Sequence, residues 1–224
     1  MSLEERDQAT VVTHALAQQT LTELRRVETD PTEFRDQLIE LGRICGMELI
    51  DDYFGTTSVE IETPLTETTG VEIDGRDDVM LVSVLRAALP FVEGLVDVFP
   101  TARQGVISAS RDESAERDED GLPIAVEYVS LPEPSEDETV IVADPMLATG
   151  STLSAVLAEL LSGETTPESI IVLAAVSAPE GLERLAAEFP EVKLVTVAID
   201  EELNEESFIV PGLGDAGDRA FRTG

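Results

Sequence analysis

Between Val140 and Thr152 the chain reads Val-Ile-Val-Ala-Asp-Pro-Met-Leu-Ala-Thr-Gly-Ser-Thr, an apolar run that ends in an acid and turns through hydroxyl-bearing residues. In an open parallel sheet, ligands sit beyond the carboxyl ends of the strands. A helix amino terminus placed there offers unpaired N–H groups and a partial positive charge to an anion. Thr149, Ser151 and Thr152 would add hydroxyl donors, and Gly150 would let the backbone approach closely. Asp144 is placed to accept hydrogen bonds from sugar hydroxyls. The segment is not a P-loop, because no lysine follows the glycine. The residues alone fit a phosphate cradle and an ordinary hydroxyl-capped turn equally well.

Three further groups of residues bear on chemistry. Arg86 directly follows the apolar run Val79–Leu85, and Arg111 ends the run Gly105–Ser110. Arginine at a strand's carboxyl end can fork onto diphosphate oxygens or pair with a neighbouring acid. In the tail, Gly212, Gly214 and Gly217 satisfy G-x-G-x-x-G, but only seven residues follow Gly217. That leaves no room for the helix, second strand and ribose acid of a dinucleotide fold. An extended glycine-rich strip can instead hold a flat base with its own backbone, or simply turn a tail. His14 and Cys45 read as packing or capping residues. With one histidine, a three-His metal site is impossible.

The elements that must position these groups alternate between short β-branched runs and helical periodicity, which predicts an α/β fold with a largely parallel sheet. Two helices are expected to open the chain, over Gln8–Arg26 and from Pro31 onward, the second with Asp30 as N-cap and Phe34, Leu38, Leu41, Ile44 and Leu49 on one face. Ser58–Thr63 and Val71–Ile73 read as a hairpin. Strands are expected at Val79–Leu85, Gly105–Ser110, Ala125–Ser130, Thr139–Ala143, Ile170–Ala175 and Val192–Ile199. Helices are expected at Leu89–Phe99, Ser151–Leu161 and Gly181–Phe189. The tail from Asp200 shows no clear period. The organisation expected is one domain over 1–224, with amino-terminal helices and a strand in 1–65, an α/β core in 79–199 and a carboxy-terminal hood in 200–224.

Composition narrows the partners. The 224 residues hold 47 acidic and 14 basic side chains, a net charge of −33, and Lys193 is the one lysine. Such a charge disfavours nucleic-acid binding, which relies on cations releasing phosphate counterions, and attachment to anionic lipid. An acidic, arginine-over-lysine surface suits concentrated salt, where the Debye length falls to about 3 Å. A single cysteine forbids an internal disulfide, the amino terminus is polar, and no apolar run approaches a membrane span, so the cytoplasm is the expected location.

The segment Asp144, Pro145, Met146, Leu147, Ala148, Thr149, Gly150, Ser151, Thr152 resembles the phosphoribosyl-diphosphate loop of type I phosphoribosyltransferases, in the form found in the uracil phosphoribosyltransferase family. Val84-Leu85-Arg86-Ala87-Ala88-Leu89-Pro90, Ala109-Ser110-Arg111-Asp112-Glu113 and Phe208–Arg219 fit the same family in the right order, as do Phe34-Arg35, Leu41-Gly42-Arg43 and Val59–Leu65. The resemblance implies a type I phosphoribosyltransferase fold with a hood from the terminal segments. It also implies pyrimidine salvage, with uracil and 5-phospho-α-D-ribose 1-diphosphate (PRPP) converted to UMP and diphosphate. PRPP contacts would come from Arg86, Arg111, Asp215 and the whole Asp144–Thr152 loop, and uracil contacts from Ile209, Gly214, Asp215 and Ala216. Arg111 and Asp215 would lie nearest the chemistry. Mg²⁺ would be held mainly through the diphosphate, with no dedicated protein cage. Backbone groups of the tail strip would match uracil's O2, O4 and N3–H, whereas cytosine would leave some of them unpaired, a mismatch worth about 10⁴ in discrimination.

Homodimers or homotetramers are implied, and the acidic run Arg111–Leu122 would form a mobile lid or dimer arm. Departures are visible as well: Ala88 and Pro90 stand where many bacterial members have glycine, and Gly150-Ser151-Thr152 replaces the commoner Gly-Gly-Ser. Asp36 and Glu40 occupy a stretch that is basic in GTP-activated archaeal members, which counts against GTP control, although Arg35 and Arg43 remain. Two other readings stand beside this one. One is a phosphoribosyltransferase for a different base; the other is a non-catalytic regulator responding to pyrimidine nucleotides, whose RNA-binding form would need a basic face.

Overall fold

Runs of Val, Ile and Leu that are apolar on both faces must be covered from both sides, and they supply the centre of the main sheet. The computed structural model describes residues 2–6, 8–111, 124–163 and 165–222, with 110, 111, 124 and 125 described by backbone alone. The chain opens with β1 (Leu3–Arg6), β2 (Ala9–Val12), α1 (Ala15–Arg25), α2 (Pro31–Tyr53) and a hairpin of β3 (Thr56–Glu62) and β4 (Glu67–Ile73). Then come β5 (Val79–Leu85), α3 (Ala88–Val98), β6 (Arg103–Arg111), β7 (Ile124–Ser130), β8 (Thr139–Ala143), the short β9 (Met146–Leu147) and α4 (Ser151–Leu160). The remainder is β10 (Ser169–Ser177), α5 (Pro179–Glu188), β11 (Lys193–Ile199), β12 (Glu202–Leu203), β13 (Ile209–Val210) and α6 (Ala216–Phe221).

The main sheet has the order β1-β2-β11-β10-β8-β5-β6-β7, with β9 paired to β10. Every pairing from β2 to β6 is parallel, and the flanking pairs β1–β2 and β6–β7 are antiparallel. Alternate residues of the central strands point to opposite faces. Leu81, Ile141, Leu173 and Val195 join α1, α2 and α3 on one face, and Val82, Val142, Val172 and Leu194 join α4 and α5 on the other. The first core also takes in Ile209, Leu213, Ala216 and Ala220, so the carboxy-terminal segment is packed on the body rather than trailing from it. Among the described residues, no helix is long and apolar enough to cross a membrane.

The second helix follows its sequence signals: Pro31 opens it and Asp30 caps it, accepting from the N–H groups of Thr32 at 2.7 Å and Glu33 at 3.1 Å. Helices α2 and α3 approach so closely that a Cβ on Gly94 would stand 1.9 Å from the Ile39 carbonyl oxygen. The first helix departs from expectation. It begins at Ala15, because the β-branched run Thr10-Val11-Val12 belongs to a strand held between β1 and β11, parallel to β11, and His14 caps the helix through Nδ1. The tail also holds more than expected: two short paired strands, then α6, capped by Asp215. The hairpin β3–β4 forms its own two-stranded sheet. The acidic run expected to form a lid or arm lies outside the described residues from 112 to 122.

Candidate active site

The turn after β8 is stitched down by its own carbonyls. Pro145 accepts from the N–H groups of Ala175 and Val176, and Leu147 accepts from that of Ala178. Gly150 then takes φ +78°, a left-handed conformation that favours glycine, and a Cβ there would also crowd the Gly181 carbonyl oxygen at 3.0 Å. Gly150 occupies the cap position of α4, and no side chain caps that helix. Its first-turn N–H groups could receive an anion, with the Ser151 hydroxyl beside them.

This turn forms one wall of a cavity of about 520 Å³. Asp144, Met146, Ala148 and Thr152 line it from the loop and the first turn of α4, Arg86 and Ala87 from the turn between β5 and α3, and Ser207, Phe208, Ile209, Leu213, Gly214, Asp215 and Gly217 from the tail. Asp144 keeps some contact with the cavity, yet burial pushes its carboxyl up to about 7, against the lowering effect of the Met146 N–H bonded to Oδ1. Arg86 is exposed, with Nη2 3.9 Å from Asp218 Oδ1 across the cleft. Asp215 accepts from the Asp218 N–H at 2.9 Å, so one of its carboxylate oxygens is committed to capping α6.

Arginines from the amino-terminal helices hold the tail over this cavity. Asp200, at the end of β11, is buried; it receives two hydrogen bonds from Arg25, at 2.6 and 3.0 Å, and one from the Gly212 N–H at 2.8 Å. Arg219 donates to the carbonyls of Leu213 at 2.8 Å and Arg26 at 2.6 Å, as well as to that of Leu24, while its guanidinium lies 4.3 Å above the Phe34 ring. Burial holds its pKa below the usual arginine range. Arg35 Nη1 reaches the Ala220 carbonyl at 2.6 Å. Each bond joins residues more than 170 positions apart or closes the turn that carries the strip, so the tail's path is fixed by partners remote in sequence.

Of the residues expected in the site, the cavity gathers Arg86, Asp144, Met146, Ala148, Thr152, Ile209, Gly214 and Asp215. Leu147 is buried in the core beneath the loop, and Pro145 serves the loop through its carbonyl. Thr149 lines a second hollow of about 310 Å³ beside α5. Ala216 is fully buried in the first turn of α6, off the cavity wall. Arg111 ends β6 opposite Ile124, and its side chain lies outside the described residues. Sequence reasoning missed Ser207, Phe208 and Leu213. A lone exposed aromatic in a tail of acids was the available signal for Phe208.

A mostly parallel sheet flanked by helices, with a glycine-bearing turn into a helix at its carboxyl edge and a tail packed over that edge, is the fold of type I phosphoribosyltransferases. Solved structures agree on the fold. A protein of Aquifex aeolicus, AQ2163, matches with TM-score 0.83 and 32% identity over 95% of this chain and 97% of that one. An adenine phosphoribosyltransferase of Trypanosoma brucei matches in fold alone, with TM-score 0.57 and 11% identity over 92% of this chain and 90% of that one. Residues 11–223 match the family model for uracil phosphoribosyltransferase. Curated uracil phosphoribosyltransferases are 60% identical in Haloarcula marismortui, over the full length of both chains, and 48% in Pyrobaculum islandicum, over 95% of this chain and 98% of that one. The chain belongs to the uracil phosphoribosyltransferase family.

Proposed function

We propose that this chain transfers the 5-phosphoribosyl group of PRPP to uracil, giving UMP and diphosphate. The observation that carries this reading is the single cavity bounded by Ala148 and Thr152 on one side and Ile209, Gly214 and Asp215 on the other, with Arg86 and Asp144 between them. The amino terminus of α4 receives the 5′-phosphate, and ionised Asp144 accepts from the ribose hydroxyls. Arg86, with Arg111, stabilises the diphosphate as the bond from C1′ to its oxygen breaks and the base nitrogen attacks from the opposite face. The backbone of the strip from Ile209 to Ala216 reads the uracil edge; Ala216 contributes through its main chain, since its side chain is buried. Asp215 lies near the reacting centre. The work is positioning and electrostatics.

Among the described residues, no three His, Cys, Asp or Glu side chains converge as a metal cage. The separate carboxylates of Asp144 and Asp215 on the cavity wall fit a hydrated Mg²⁺ carried in on the diphosphate. When bound, that ion neutralises charge on the leaving group. The chain acts as one domain and as a homodimer or homotetramer in the cytoplasm, and the hairpin β3–β4, with Leu65 and Val71 exposed, offers apolar surface to a second copy. GTP control stays outside this reading: Arg43 is engaged by Asp97 and Glu40, and Arg35 by the Ala220 carbonyl.

The test incubates the protein with PRPP and uracil, cytosine or hypoxanthine in magnesium buffer with molar KCl. Product from uracil alone is expected. Product from another base would reassign the strip, and UMP binding without turnover would make the protein a regulator.

A further inference from the structure

The phosphate loop is backed by a cation from another element. Arg184, on α5, donates from Nη1 to Ser151 Oγ at 2.9 Å. Thr149 Oγ1 donates to the same oxygen at 3.0 Å. A hydroxyl has two acceptor lone pairs and one proton. With both lone pairs of Ser151 engaged, its proton remains to be directed at an acceptor, and the neighbouring first turn of α4 is where an anion would supply one. Arg184 is itself held: Nε donates to Glu188 Oε1 at 3.0 Å, and the other oxygen of Glu188 accepts from Ser154 Oγ on α4. The α5 start is pressed against the loop, since a Cβ on Gly181 would stand 2.3 Å from the Ala148 carbonyl oxygen. Glu180 and Glu188 share the hollow behind the loop with Arg184, so the guanidinium also offsets one of the two acids that would repel a phosphate.

We propose that Arg184 is a positioning residue for phosphate recognition, orienting the Ser151 hydroxyl as a hydrogen-bond donor to the 5′-phosphate and reducing the negative charge behind the loop. The proposal rests on reading this loop as the 5′-phosphate site.

The test measures UMP and uridine binding by calorimetry in molar KCl for the wild type, Arg184→Met, Ser151→Ala and the double variant. Arg184→Met should weaken UMP binding about tenfold, the scale of one hydrogen bond to a charged group, and leave uridine binding unchanged. Ser151→Ala should lose a similar factor, and the double variant should lose far less than the product of the two. In turnover, Arg184→Met should raise the KM for PRPP about tenfold with kcat little changed, as loss of uniform binding requires, and Arg184→Lys should recover part of it. Equal losses for UMP and uridine, multiplicative losses in the double variant, or wild-type UMP affinity in Arg184→Met would each overturn the role. A wild type that distinguished UMP from uridine by nothing would instead overturn the phosphate loop itself.

Discussion

Replacing Asp200 with Asn tests whether the tail is a base-reading strip held by remote anchors. The carboxylate is only 5% exposed, and its partner Arg25 is 24% exposed. The substitution keeps the shape, removes the charge opposite Arg25 and weakens the acceptor for the Gly212 N–H. Breaking a fully buried pair costs about 3–5 kcal/mol. Because Arg25 keeps some water, we expect about 2–3 kcal/mol here, with that discount for screening. For a chain of this size that corresponds to a fall of roughly 5–10 °C in Tm. Gly212 stands two residues before Gly214, so loosening it should displace the strip more than the phosphate loop, which is stitched independently to β10 and α5. The KM for uracil should therefore rise about tenfold while that for PRPP moves by less than about twofold, a split that separates local from global damage. Thermal unfolding followed by circular dichroism and steady-state kinetics, both in molar KCl, supply the readouts. A lowered Tm with both KM values rising by the same factor would refute the anchoring argument, and an unchanged Tm would refute the energetic one.

Two further outcomes follow from charge. Asp144 has a folded pKa raised from 3.8 to about 7, so the folded state binds its proton more tightly and the empty protein loses stability as pH climbs from about 4 through 7. Its ionised form is the one that accepts from ribose hydroxyls, so kcat/KM for PRPP should rise with pH through about 7. Asp144→Asn should lower activity, abolish that inflection and melt higher than the wild type at pH 8; an inflection persisting in the variant would assign it to another group. With a net charge of −33, the Tm should climb steeply between dilute buffer and molar KCl, where screening shortens to about 3 Å. A salt-independent Tm would show that self-repulsion is not what the acidic surface contributes.

The central strands and the strand-turn-helix at Thr139–Leu160 were legible because they rest on local physics, whereas the residues alone left the turn's ligand open. Val79–Leu85 and Thr139–Ala143 are the strands found, to the residue, since an apolar run of that length has to be buried. Asp30 and Pro31 announce a helix start through short-range hydrogen bonding. The amino terminus misled because Val12 continues the helical stripe of Leu16 as readily as it sits in a strand; the contest is decided by pairing with β11, more than 180 residues away. That Ile209, Gly214 and Asp215 would meet at one place was expected from resemblance, and they share the cavity wall, but their anchors were not legible. Nothing local to Asp200 or Arg219 says that their partners are Arg25 and the carbonyls of Leu24 and Arg26. Phe208 was missed for the complementary reason: an exposed aromatic reads as a stray until a cavity is seen to close around it.

The acidic surface and a polyanionic substrate are reconciled by where the cations lie. Arg86 lines the cavity, Arg184 backs the phosphate loop, and Arg25, Arg35 and Arg219 secure the tail above, so five of the 14 basic residues surround one cleft. Arg35 and Arg219 donate to main-chain carbonyls in these contacts, which orient a guanidinium without cancelling its charge as a carboxylate would. Bonds of under 3 Å lie inside the Debye length even at molar salt, whereas repulsion from acids across the surface does not. Salt thus removes the long-range obstacle to an incoming polyanion and leaves the short-range bonds that fix the arginines around the cleft. A protein organised this way has no need of a basic face to bind an anion; it needs its few arginines anchored where their direction is fixed.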